Sequence, residues 1–301
     1  MIYLGIDGGG THTTAAAADE NGKILLTVGG ETINFYSVGM QAAKNNLSDI
    51  IKKIKSALGV ERFCSVFIGS SALSGEAQPE LLDEFVSGVI DADFIAMNSD
   101  IYAALCACSC EGERAVVISG TGSMCAGLDA GGNVLTRGGW GHILGDEGSA
   151  YSVALSAIKK AMSAYDNKTE SPFIGLCEDF FGTHGADELI DAVYSENMTK
   201  DKIAALAAEI CRAAEDGGTE CIKLLSNEAK KLSVTLSQLL SEMKSCRRVF
   251  LYGGMFQHCP LYCDLFKECI LSEIPELLIE PLPLTPEQGA LSVALRRQYD
   301  L

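Results

Sequence analysis

Basic side chains are scarce in this chain. Its 301 residues carry 23 Lys and Arg against 40 Asp and Glu, a formal net charge of −17. So acidic a chain repels nucleic acid and anionic membrane surfaces, and neither is expected as a partner. Long hydrophobic runs are missing too: none approaches the roughly 20 apolar residues of a membrane-spanning helix. No cationic stretch, apolar leader or cleavage site precedes the first apolar run at residues 2–6, so a cytoplasmic location is expected. There are twelve cysteines but no C-x-x-C, in a chain far longer than the disulfide-stapled mini-proteins. Cys106, Cys108 and Cys110 are spaced by two, which separates them on a helix. Cys259 and Cys263, four apart beside His258, could share a face and hold a metal or iron–sulfur group. Buried reduced thiols acting as small apolar side chains are the commoner outcome.

Two nucleotide signatures are absent as well. No lysine follows a glycine loop as a P-loop requires. Nor does a G-x-G-x-x-G open a helix, because Gly120-x-Gly122 leads to Cys125 and a strand pattern. A nicotinamide enzyme is therefore not expected.

What the chain does have is a repeated glycine loop. Asp7-Gly8-Gly9-Gly10-Thr11 follows one short apolar run and leads into another; Ser119-Gly120-Thr121-Gly122-Ser123 does the same at the corresponding place further on. Each reads as strand, tight glycine turn, strand, a hairpin whose bare backbone amides can approach an anion. Thr11, Thr13, Thr121 and Ser123 add hydroxyls. One such turn is ordinary; two in matching contexts point to a duplicated nucleotide fold.

The surrounding pattern agrees. The first half predicts strands at 2–7, 13–19 and 23–28, a helix over 41–58, a strand at 66–69, a helix over 80–90 opened by Pro79, a strand at 94–98 and a helix from Asp100 to Cys106. The second half predicts strands at 114–119, 124–129 and 134–136, a helical block from about Gly148 to Lys244, strands at 248–252 and 277–280, and a helix over 286–297. That is five strands per half, each a mixed sheet flanked by helices. With 48% hydrophobic residues and no Pro- or Ser-rich linker, two domains with their own cores are expected, 1–112 and 113–301, hinged near Glu111-Gly112-Glu113. The last helix is a candidate to return to the first domain.

Four further places carry chemistry. Asp100 stands where a strand ends and a helix begins; it can serve as the base of a phosphoryl transfer or as a helix N-cap, and position alone leaves both open. Residues 138–149 hold five glycines, the one Trp, a His and two acids, a composition suited to wrapping a small ligand, with Asp146 accepting from hydroxyls. Asp146 or Ser149 is alternatively the cap of the next helix, and His142 a loop-fixing group. Gly253-Gly254 ends a strand and offers a flat surface for an adenine, or is simply a helix entry. Gly289-Ala290 permits close helix packing.

Together these residues resemble a known family. Gly5-Ile6-Asp7-Gly8-Gly9-Gly10-Thr11, Ile118 to Ser123, Gly253-Gly254 and Gln288-Gly289-Ala290 resemble the ribonuclease H-like, actin-like ATPase fold of actin, heat-shock chaperones and sugar kinases. Gly138-Gly139-Trp140-Gly141-His142 with residues 145–151 is similar to the N-acetylglucosamine kinases that group with the BadF/BadG/BcrA/BcrD ATPases. The resemblance spans the whole chain. It implies two duplicated domains with a ligand cleft between them and ATP with Mg2+ as cofactors. It also implies an amino sugar, N-acetylglucosamine or glucosamine, as the acceptor at its 6-hydroxyl, and a homodimer. It implies that Asp7 holds the Mg2+ shell and that Gly9, Gly10, Thr11, Thr13, Gly120, Thr121 and Gly122 cradle the phosphates. Gly253 and Gly254 then flank the adenosine in the second domain, Asp100 is the catalytic base, and Asn34, Gly139, Trp140 and Asp146 meet the sugar. Asn34 fits through its spacing to Gly39, although Glu31-Thr32-Ile33 departs from the pattern; His12 receives no role. Two alternatives share the fold: an iron–sulfur ATPase activator of acyl-CoA reductases or dehydratases, and a non-catalytic sugar sensor. The Gly-Thr-Gly-Ser loop and the Trp140 loop argue against the first, and the retained acids against the second.

Overall fold

Both glycine loops are turns of hairpins. The computed structural model describes residues 1–243 and 245–296. In chain order the first half contains β1 (Tyr3–Gly8), β2 (His12–Ala18), β3 (Ile24–Glu31), α1 (Phe35–Val38), α2 (Met40–Leu58), β4 (Phe63–Ser70), α3 (Pro79–Val86), β5 (Ala92–Ser99) and α4 (Asp100–Cys106). Then come β6 (Arg114–Ser119), β7 (Ser123–Leu128), β8 (Val134–Gly138), α5 (Ala150–Asn167), α6 (Pro172–Phe181), α7 (Ala186–Val193), α8 (Lys200–Ala204), α9 (Leu206–Glu215) and α10 (Thr219–Glu242). The chain continues through β9 (Arg248–Tyr252), α11 (Gly254–His258), α12 (Pro260–Glu273), β10 (Leu278–Pro281) and α13 (Pro286–Arg296). The expected ends of two helical stretches, Lys244 and Arg297, lie outside the described residues.

The sheets run β3-β2-β1-β4-β5 and β8-β7-β6-β9-β10. In each, the glycine hairpin is antiparallel and the strand on its other side is parallel, β1 with β4 and β6 with β9. Identical order and orientation is the duplication that the repeated loop predicts. These are two five-stranded mixed sheets with flanking helices, as expected.

The chain divides into two compact units: Met1–Glu111 together with the C-terminal segment from Leu282, and Gly112–Pro281. The second unit thus starts one residue before the expected 112/113 boundary, and the segment from Leu282 groups with the first unit. Helix α13 packs on β1, β2, β4 and α4, all in the first unit. Glycine makes this packing so close. A Cβ on Gly5 would overlap the Leu291 amide and the Glu287 carbonyl, and one on Gly289 would overlap the Ala103 carbonyl. On the other side of that sheet, α2 presents Leu47, Ile50, Ile51 and Ile54 at helical spacing, all buried against β1 and β4 residues such as Leu4, Ile6 and Ile68. Each contributes about 1.5–3 kcal/mol by leaving water. Helix α2 stops at Gly59, which takes left-handed backbone and returns its N–H to Lys55.

In the second unit the block between β8 and β9 is, among the described residues, six helices. Its longest, α10, buries Cys221, Leu224, Leu225, Leu232, Leu236 and Leu239 along one stripe. Glu228 breaks that stripe, a carboxylate 2% exposed. Among the described residues no helix is long and apolar enough to cross a membrane.

Candidate active site

In the first unit two carboxylates meet at the ends of parallel strands. Asp7 lies near the end of β1 and pairs in register with Gly69 of β4, which in turn pairs with Asn98 of β5. A Cβ on Gly69 would stand 3.2 Å from the Asp100 Cα, so the bare strand leaves room for both acids. Burial first, then the charges of Asp100 and Glu287, push the Asp7 carboxyl up to about 7. Burial pushes Asp100 up to about 6, against the pull of the Ile101 amide bonded to Oδ1 at 2.8 Å. The capping alternative for Asp100 falls to its neighbour: Ser99 caps α4 by accepting from the Tyr102 amide, and Asp100 is the first helical residue.

The Gly9-Gly10-Thr11 turn beside Asp7 is open. Nothing lies within 4 Å of where a Cβ on Gly10 would sit, and Thr11 is exposed with its hydroxyl 3.3 Å from His12 Nδ1. Neither Gly9 nor Gly10 takes a left-handed φ, and the same holds for Gly120 and Gly122. Glycine serves here by exposing the amides, not by allowing a forbidden turn. Thr13 departs from expectation. Its side chain is fully buried and its Oγ1 accepts from the Ile33 amide at 3.1 Å, so it leaves the candidate nucleotide set. Asn34 caps α1, accepting from Tyr36 and Ser37 amides, while its Nδ2 donates to Ser71 Oγ at 3.0 Å. Ser71 in turn donates its amide to the Gly8 carbonyl at 2.8 Å, so Asn34 is tied to the rim of the first loop.

In the second unit Gly120, Thr121 and Gly254 line a cavity of about 590 Å3, walled by α8 and α9 and by Met255 and His258 of α11. Gly253 takes φ +108, and a Cβ there would overlap the Ser119 carbonyl. It brings the start of α11 against the second loop, so Gly253-Gly254 is a helix entry, and Gly254 borders the cavity.

The loop 138–149 is stitched to the second glycine loop. Ser123 donates its amide to Asp146 Oδ1 at 3.2 Å and its hydroxyl to the Glu147 carbonyl at 2.7 Å. Ser119 Oγ and Tyr262 OH both donate to the Gly148 carbonyl. Glu228 accepts from the Gly148 amide, from Ser152 and Ser156 hydroxyls and from Lys231 Nζ. Ser149 caps α5 through the Ser152 amide. Asp146 therefore does not cap; it is 4% exposed, sits at φ +64, and pairs with Lys200 Nζ at 2.7 Å. Gly139, also at positive φ, packs on the Met124 side chain. Trp140 is 73% exposed, and Ile143 and Leu144 project beside it. His142 meets Tyr151 edge to face.

Sequence reasoning missed Lys200 and Glu228. Glu228 had a signal, a charge within an apolar stripe. Lys200 had none, being 54 residues from the aspartate it meets. Cys259 is buried at the cavity wall. Among the described residues no three metal-ligating side chains converge.

Comparison with known proteins bears on this arrangement. An N-acetylmuramic acid/N-acetylglucosamine kinase of Clostridium acetobutylicum is 27% identical over 297 residues, 97% of each chain. An N-acetyl-D-glucosamine kinase of Dictyostelium discoideum is 26% identical, covering 98% of each. Among solved structures, a Chromobacterium violaceum protein proposed to be an N-acetylglucosamine kinase superposes with a TM-score of 0.78 at 22% identity over 98% of both chains. A glucokinase of the ROK family from Streptomyces griseus, solved with glucose and AMPPNP, gives 0.63 at 15% identity, covering 99% of this chain and all of that one. These likenesses carry the fold, and it is the family profile, matching residues 4–294 and so taking in both glycine loops, the Trp140 loop and α13, by which the chain belongs to the BadF/BadG/BcrA/BcrD ATPase family.

Proposed function

We propose that the protein is an ATP-dependent kinase that phosphorylates an amino sugar, with N-acetylglucosamine or glucosamine as acceptor at the 6-hydroxyl. The observation that carries this is Asp100, a buried carboxyl raised to about 6, free of the capping duty and one bare strand away from Asp7. A base with that affinity for a proton is ionised at neutral pH and able to accept one. In the proposed reaction Asp100 takes the proton of the acceptor hydroxyl as its oxygen bonds to the terminal phosphorus of ATP; the bridging P–O bond breaks and its electrons leave on ADP. The open amides of Gly9, Gly10, Thr11, Gly120, Thr121 and Gly122 are suited to the phosphate oxygens. Gly254 borders the cavity and Gly253 seats the start of α11 beside it; both are proposed adenosine contacts. Asn34, Gly139 and Trp140 are the proposed sugar contacts; Asp146, 4% exposed with both carboxylate oxygens already bonded, is proposed to hold the loop that carries Gly139 and Trp140.

A divalent cation fits the first unit. Asp7 is an oxygen donor held near neutrality by burial and by two other carboxylates, with no cationic partner among the described residues. Mg2+ takes one or two carboxylates and completes its shell with water and phosphate oxygens. When bound, it would neutralise charge on the phosphates.

Phosphorylation of N-acetylglucosamine, glucosamine, N-acetylmannosamine, N-acetylmuramic acid and glucose, measured as ADP release with product mass, tests the reading. Transfer to an amino sugar with kcat/KM well above that for glucose is expected. ATP hydrolysis unaffected by every sugar would reject it.

A further inference from the structure

Neither glycine loop is followed in sequence by a lysine, so neither brings its own cation to meet the charge of a transferring phosphoryl group. The fold delivers one from α8. Lys200 Nζ donates to Asp146 Oδ2 at 2.7 Å and lies 3.0 Å from where a Cβ on Gly122 would stand. The Asp146 oxygens lie 3.0 and 3.1 Å from the same point. The ion pair therefore rests on the second glycine loop at Gly122, where the loop has no side chain.

The pair is asymmetric. Asp146 is sealed, its side chain 4% exposed, with Oδ1 taken by the Ser123 amide and Oδ2 by the lysine. The Lys200 side chain is 29% exposed. An ammonium has three donors, and among the described residues Asp146 is its one hydrogen-bond partner. Two donors remain, on the open side. The next residue, Asp201, and then Ala204 and Ala205 line the 590 Å3 cavity that opens on Gly120 and Thr121. A nucleotide base in that cavity would lay its phosphates on the loop whose Gly122 Lys200 rests against.

We propose that Lys200 is a further catalytic residue of this kinase. Seated on Asp146, it binds the oxygens of the terminal phosphoryl group of a nucleoside triphosphate and stabilises the charge they carry during transfer. The proposal rests on the kinase reading above. Lys200 keeps its proton throughout; the proton that moves is the acceptor's. Asp146 aligns the cation and is itself neutralised by it, which prevents a buried anion from repelling the phosphate. The phosphate-loop lysine thus arrives through space, where a P-loop supplies it in line.

Direct binding without any sugar tests this. Calorimetry with Mg2+ and either AMP-PNP or ADP compares the native protein with Lys200→Met and Lys200→Arg. Lys200→Met is expected to weaken AMP-PNP by roughly 10- to 100-fold, the loss of charge-assisted hydrogen bonds, and ADP by less than about threefold. Lys200→Arg is expected to restore most of the preference for the triphosphate. In turnover, Lys200→Met is expected to lower kcat by about 100-fold with little change in sugar KM. Equal weakening of both nucleotides, or none, overturns the proposal and leaves Lys200 as a counter-ion of Asp146. Should Lys200→Met fail to fold, Lys200→Gln, which still donates to Asp146, carries the same comparison. A lysine-dependent triphosphate preference in a protein that phosphorylates no sugar would sink the amino-sugar reading and uphold this one; native protein that binds neither nucleotide sinks both.

Discussion

Replacing Asp100 by Asn acts on rate and on stability with opposite signs. Asn keeps the size of the side chain and an oxygen for the Ile101 amide, now bonded at 2.8 Å. It cannot accept a proton, and loss of a general base removes on the order of 10²–10⁴ in rate. The stability effect follows from burial. Lifting the carboxyl from 3.8 to about 6 makes ionisation in the folded chain cost at most about 3 kcal/mol at ~1.4 kcal/mol per pH unit. Residual solvent contact reduces this to about 1–2 kcal/mol. The folded carboxyl holds its proton more tightly than the unfolded one. Its stabilising contribution is complete below pH 3.8 and lost as pH rises through about 6. Above pH 7 the native protein carries the full cost of the charge and Asp100→Asn does not. The variant should therefore melt higher there, by about 2–8 °C, with the gap closing toward pH 4. Melting curves by circular dichroism between pH 4 and 8, beside kcat at pH 7.5, make the comparison. For the native protein kcat/KM should rise with pH about a midpoint near 6. Retained kcat in Asp100→Asn, or a lower melting temperature at every pH, would refute the assignment, since both describe a carboxylate with only a structural task.

Trp140 is exposed and unique, so its fluorescence should change saturably on adding the accepted amino sugar; a silent tryptophan with calorimetric binding intact would remove it from the sugar contacts. Glu228→Ala strands the Gly148 amide and two serine hydroxyls and should cost about 2–4 kcal/mol in denaturant unfolding. An unchanged midpoint would mean the 138–149 loop is held well enough by Ser119, Ser123 and Tyr262 without Glu228. Gly5→Ala drives a Cβ into the backbone of α13 and should lower stability by about 1–3 kcal/mol or more, read by urea titration. Protein purified without oxygen should be colourless and free of iron by elemental analysis; stoichiometric iron would revive the activator alternative.

The strands were legible because both hairpins announce themselves by apolar run, glycines and apolar run, and because largely buried strands such as Arg114–Ser119 contain an unbroken apolar stretch. The boundaries of β4 were underestimated: it begins at Phe63, where Cys64 and Ser65 dilute the apolar run. Asp100 was legible as a strand-end acid, but only the Ser99 cap separates its two readings, and which of two adjacent residues caps depends on backbone angles that the sequence does not display. Thr13 was misread because alternation in β2 sends its side chain inward, while its neighbours face the other way. Lys200 was beyond reach: the helices that carry it to Asp146 look, in sequence, like any helical block.

The return of α13 to the first sheet makes the second unit an insertion within the first. During synthesis, β1 to β5 emerge with the notch at Gly5 still uncovered, and the whole of Gly112–Pro281 follows before Leu291 arrives to fill it. The later-emerging unit can close its own core while the earlier one waits with an exposed apolar sheet face, the state in which a nascent chain is most open to chaperones and to aggregation. A stalled or prematurely ended chain would thus be defective at its beginning, in the unit that holds Asp7 and Asp100.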